Sequence, residues 1–153
     1  MPTIEALSRE VDNATAAYIL ENQRCFEDLK QVAAQLAGWL VLAAAGSKEA
    51  APDHPALRRA REMFREAGEA LQRARPTERA RRHFDHLLRA ASAISAALQQ
   101  ADARLDVDRV LIPLRSGYAE IEQAADALPG FEKISYARAC CGSLEVRPEV
   151  RPQ

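Results

Sequence analysis

Between Thr3 and Gly46 the chain carries a helical stripe longer than any other it contains. Ile4, Leu7, Val11, Ala14, Tyr18, Asn22, Phe26, Leu29, Val32, Leu36, Leu40 and Ala43 recur every three or four residues, and all but Asn22 are apolar. This spacing predicts one amphipathic helix. A rod of some forty residues would run roughly 60 Å, whereas the later helical segments reach only about 35 to 45 Å. Either the rod breaks at the polar run Glu21, Asn22, Gln23, Arg24, or its far end overhangs and a second copy of the chain buries it. The overhang is expected, and with it a homodimer through the first helix. Residues 37 to 46 read AGWLVLAAAG, apolar on every side, which one packed face does not require. Ten residues are too few to span a bilayer, so no membrane partner is expected.

The chain then runs through Ser47 to Pro55, a polar, proline-bearing loop, into a second helix with Asp53 as its expected N-cap and Pro55 in its first turn. Leu57, Ala60, Phe64, Ala67, Leu71 and Ala74 form its apolar stripe. Continued past Pro76, that stripe would reach Arg81, while the next one starts at Ala80. The slip in register, together with the restriction proline places on Arg75, predicts a break there with Thr77 as a new cap. The third helix, Thr77 to about Arg104, carries Ala80, Phe84, Leu87, Ala91, Ile94, Leu98, Ala101 and Leu105 in alternating steps of four and three. Asp106 or Asp108 can cap a fourth, with Pro113 expected to bend it or confine its regular part to the residues beyond, and Pro129 and Gly130 ending it.

The fold class that follows is all-α: an antiparallel four-helix bundle with a long N-terminal helix and a short C-terminal strap. The bundle should occupy residues 1 to 143, with 131 to 143 as a closing helix or extended strap. Residues 144 to 153 should form a flexible tail, in which Glu145-Val146-Arg147-Pro148 is repeated as Glu149-Val150-Arg151-Pro152. Aromatics are only 5% of the chain, so the core must be built largely from Ala and Leu, which let helices approach closely.

Charge is uneven along the chain. Residues 51 to 100 carry ten basic and six acidic side chains (+4), against −3 before them and −2 after them. Basic helices flanked by acidic ones complement each other within a bundle, so nucleic acid is not expected as a partner. The N-terminus lacks a basic stretch followed by an apolar one, and three cysteines do not suit a disulfide framework, so a cytoplasmic location is expected.

Motifs that name a reaction are absent: there is no phosphate-binding glycine loop, nucleophile elbow or His-Glu-x-x-His. What remains is a short set of candidate residues. His83 and His86, three apart on one helix, have a spacing that brings two imidazoles near one metal, and the adjacent thiols Cys140 and Cys141 suit a soft metal. Both histidines sit beside the stripe of the third helix and are expected at its surface or boundary. Asn22 either fixes the register of the first helix or lines a ligand cavity with Tyr18, Cys25 and residues of the third helix.

The run His86-Leu87-Leu88-Arg89-Ala90-Ala91-Ser92 resembles the segment around the phosphorylated histidine of histidine-phosphotransfer domains, which are four-helix bundles of similar size. It matches over about seven residues, with Ala90 where that family carries glycine. The resemblance implies a solvent-exposed His86 with Arg89 steadying the phosphoryl group. The leading expectation is a non-enzymatic bundle acting through protein–protein interaction or self-association. A bundle holding a small molecule or metal, and phosphotransfer through His86, stand beside it; no cofactor is named.

Overall fold

The computed structural model describes Leu7, residues 11–102 and residues 106–133, and among these the regular structure is entirely helical. Four helices follow in order: α1 (Asn13–Ala44), α2 (Pro55–Arg73), α3 (Arg81–Asp102) and α4 (Val107–Ala127). They form two tight hairpins, α1 with α2 and α3 with α4, joined mainly by the packing of α1 on α4. Both are antiparallel. Cys25 of α1 bonds Ala67 while Gln35 lies against Met63, and in the second hairpin His83 bonds Ala124 while His86 reaches Glu120.

The first helix is unbroken through residues 21–24, but it starts later than its apolar spacing suggests. Asp12 is extended (φ −66°, ψ 159°), and its carboxylate accepts both the backbone N–H and the hydroxyl of Thr15. An N-cap satisfies amides that a helix start leaves unpaired, so α1 begins at Asn13 even though the stripe continues through Leu7 and Val11. Thr15 is buried while Ala14 is exposed, so the stripe is also displaced by one residue here. Thr15 Oγ1 then accepts a hydrogen bond from Thr77 Oγ1 at 2.8 Å, because its own proton is committed to Asp12. This chain of hydroxyls ties the start of α1 to the start of α3. At the other end Gly46 takes φ +70°, and Ser47 and Gly46 donate to the carbonyls of Leu42 and Ala43. That is a Schellman stop, and the left-handed position is what calls for glycine. The helix is therefore about 48 Å long.

Helix α2 is capped by His54 and not by Asp53: His54 Nδ1 accepts the Ala56 N–H at 3.1 Å, and Pro55 occupies the first helical position. The break at Pro76 is present. Arg75 folds back so that its guanidinium donates to the carbonyls of Gln72, Arg73 and Ala74, which the end of α2 leaves free. Thr77 accepts the Ala80 N–H ahead of α3. Helix α4 starts at its cap Asp106 and already includes the six residues before Pro113, so regular helix is not confined to those beyond the proline.

The core runs along one face of each helix and is dominated by Leu, Ile and Ala. At the α3–α4 crossing Gly117 lets the helices close: a Cβ there would stand 2.9 Å from Ile94 Cγ1, and Ile94 is fully buried. After Leu128 the chain crosses back over α1. Phe131 is buried against Phe26 (5.1 Å between ring centroids), Gln23 Nε2 donates to Gly130 O, and Lys30 Nζ donates to Glu132 O. A strap thus begins at 128–133; residues 134 onward, including the tail, lie outside the described residues.

Candidate functional site

The candidate residues fall into three separate places. The first is an aromatic corner where α1, α3 and the strap meet. His83 is fully buried, contrary to its expected surface or boundary position. A stripe in steps of four and three puts Phe84 inward, whereas the packing of α4 and the strap turns α3 so that His83, Leu87, Ala90 and Ile94 face the core and Phe84 is half-buried. The imidazole stacks on Phe131 (4.0 Å, 24°) and takes the edge of Tyr18 (5.9 Å, 87°). Its Nδ1 lies 2.8 Å from Ala124 O. A carbonyl only accepts, so the ring proton sits on Nδ1. Burial lowers the pKa of His83 to about 4, the Ala124 bond opposes that shift, and His86 adds slightly to it, so the ring is neutral. Burial likewise keeps the Tyr18 hydroxyl protonated, well above the usual phenol range.

The second place is the α1–α2 seam. Asn22 is buried and donates from Nδ2 to Tyr18 O in its own helix. Cys25 donates to Ala67 O, and burial, assisted by the charge of Asp28, pushes its thiol up to about 12. A thiol that does not ionise is a poor nucleophile and a poor metal ligand. Both residues face α2, while Tyr18 faces His83. The structure therefore does not bring Tyr18, Asn22 and Cys25 together around one cavity with α3.

The third place is the α3–α4 surface. His86 Nδ1 lies 2.7 Å from Glu120 Oε2, which also accepts from Arg89 Nε at 3.0 Å. The Arg89 Nη2 group stands 2.9 Å from the same His86 nitrogen, so Nδ1 either donates to Glu120 or accepts from Arg89. These bonds, that to His86 foremost, hold the Glu120 carboxyl below its ordinary range. The His86 side chain keeps only 11% of its exposure, and Arg89 is turned to Glu120. The exposed histidine implied by the phosphotransfer resemblance is not found. Among the described residues, no three His, Cys, Asp or Glu side chains come together in a way that could hold a metal ion, and Cys140 and Cys141 lie outside those residues.

Sequence reasoning missed a fourth feature. Ala37, Leu40, Val41 and Ala44 of α1 face Val107, Leu111, Leu114 and Tyr118 of α4 across an open groove of about 310 Å³, with Arg115 as its charged member. Val41, which lines the groove, is 69% exposed. Half of this was legible in the all-round apolar run of α1. On the inner side of the same run, Trp39 is buried and donates from Nε1 to Ala51 O in the loop, so part of the apolar surplus is absorbed within the chain.

Compared with known proteins, the chain matches no family model, no curated protein and no solved structure. No helix among the described residues is long and apolar enough to cross a membrane.

Proposed function

We propose that this is a non-enzymatic helical-bundle protein that acts by docking, and that the α1–α4 groove takes a second copy of the chain. The observation that carries the reading is the apolar groove together with the exposed aliphatic side chain that stands at its edge, Val41 on α1. In a two-fold interface one patch meets itself, so it has to offer both a recess and something to fill it. This patch has both. Apolar surface that neither the loop nor α2 covers is also what distinguishes an interaction face from scattered surface leucines. The buried free thiol of Cys25 suits a reducing, cytoplasmic setting, which forms part of the proposal.

Sedimentation velocity of the wild-type protein and of Val41→Glu tests the reading. Wild type should sediment at twice the 16.9 kDa chain mass and the variant as a monomer. A wild-type monomer at every concentration reached, or a dimer that Val41→Glu leaves intact, would refute it.

A further inference from the structure

We propose that Tyr18 and His83 hold one internal water molecule between them, beneath the strap. The two residues approach from different elements, Tyr18 from α1 and His83 from α3, and their rings meet edge to face. Each carries a buried polar atom with no protein partner: the Tyr18 hydroxyl, in a residue 3% exposed, and Nε2 of the fully buried His83. The chemistry of the two atoms is complementary. His83 Nδ1 is tied to the Ala124 carbonyl, which fixes the tautomer and leaves Nε2 as a lone pair able only to accept. The Tyr18 hydroxyl is a donor that can also accept.

The two atoms do not bond each other directly. On its other sides the imidazole meets the rings of Phe131 and Phe26, which offer no conventional partner. Buried donors and acceptors are almost always satisfied, by ordered water where protein does not reach. A single water donates to Nε2 and accepts from the tyrosine in one step. A chain of this size would ordinarily hold several internal waters, at about one per 27 residues. Phe131 covers the corner, and Gln23 and Lys30 hold the strap by its carbonyls, so exchange of this water with bulk requires the strap to lift. The site thus accounts for a tyrosine and a histidine in a core built mainly from aliphatic side chains, independently of the groove.

The test is NMR on 15N-labelled full-length protein at neutral pH. Long-range 1H–15N correlations should show His83 with its proton on Nδ1, and its ring CH protons should give a cross-peak to water of long residence. Tyr18→Phe should keep the tautomer and lose that cross-peak. A proton on Nε2, no water cross-peak in the wild type, or a cross-peak unchanged in Tyr18→Phe would each overturn the proposal. Should Tyr18→Phe not fold, a high-resolution crystal structure of the wild type decides. A density peak within hydrogen-bonding distance of both atoms supports the site, and a direct O–H···N bond or a dry contact refutes it.

Discussion

The two ends of α1 are built from the same helix and come to opposite results. Near Tyr18 and Phe26 the helix is covered on several sides, by α2, by α3 and by the strap, and most of the residues that could do chemistry are drawn into the interior. Near Ala37 to Ala44 it is covered on the inside by Trp39 and its loop and left open toward α4, where almost every lining group is apolar. Residue types that suggest a site are thus spent on packing at the sealed end. The face proposed for docking is made of residues that suggest nothing individually. In an Ala- and Leu-rich bundle, function is better sought where apolar surface lacks cover than where histidines and cysteines lie.

The contrast can be broken most forcefully at the sealed end. Replacing Phe131 with alanine removes the ring that stacks on His83 and packs on Phe26, and should cost about 3 kcal/mol, measured by urea denaturation with the m-value monitored. A cost under 1 kcal/mol would mean that the strap does not seal the corner.

A pH titration probes the same end with a comparable amplitude. His83 has its folded pKa depressed to about 4 from an ordinary 6.5, so the unfolded chain binds the extra proton first. Stability from this group is complete above about pH 6.5, falls as pH drops toward 4, and amounts to something on the order of 3 kcal/mol. His83→Phe should flatten the profile in that window; an unchanged slope would show that His83 is not buried as described.

Gly117→Ala tests the close approach of α3 and α4 that positions both ends. A methyl group 2.9 Å from the fully buried Ile94 should cost more than the helix propensity it adds, for a net loss of about 1 kcal/mol. A gain would mean that the crossing is looser. The smallest effect on folding belongs to the open end: Val41→Glu should alter monomer stability by less than about 0.5 kcal/mol while weakening self-association in sedimentation. If it instead unfolds the monomer, the residue is part of the core and the contrast fails.

Sequence periodicity revealed what depends on neighbours along the chain and missed what depends on neighbours across it. The break at Pro76 was legible because proline acts on the residue before it and on the helix ladder directly. The start of α1 was not, because the apolar spacing of Leu7, Val11 and Ala14 continues smoothly through a cap made by one carboxylate. His83 is the sharper case. Its burial is set by α4 and by Phe131, forty-eight positions away, and no pattern within α3 reports that. Glu120, which engages His86 and Arg89, was hidden for the same reason. The groove was half visible, since the surplus of apolar residues in 37 to 46 could be counted, but its other wall belongs to α4.

Hydrogen exchange at rising protein concentration tests the two-ended account most directly. Protection that grows with concentration should appear in residues 36–44 and 107–118 and nowhere near Tyr18, Phe26 or His83. Exchange that is independent of concentration, or new protection at the sealed end, would contradict the claim that the open end of α1 is where this protein meets its partner.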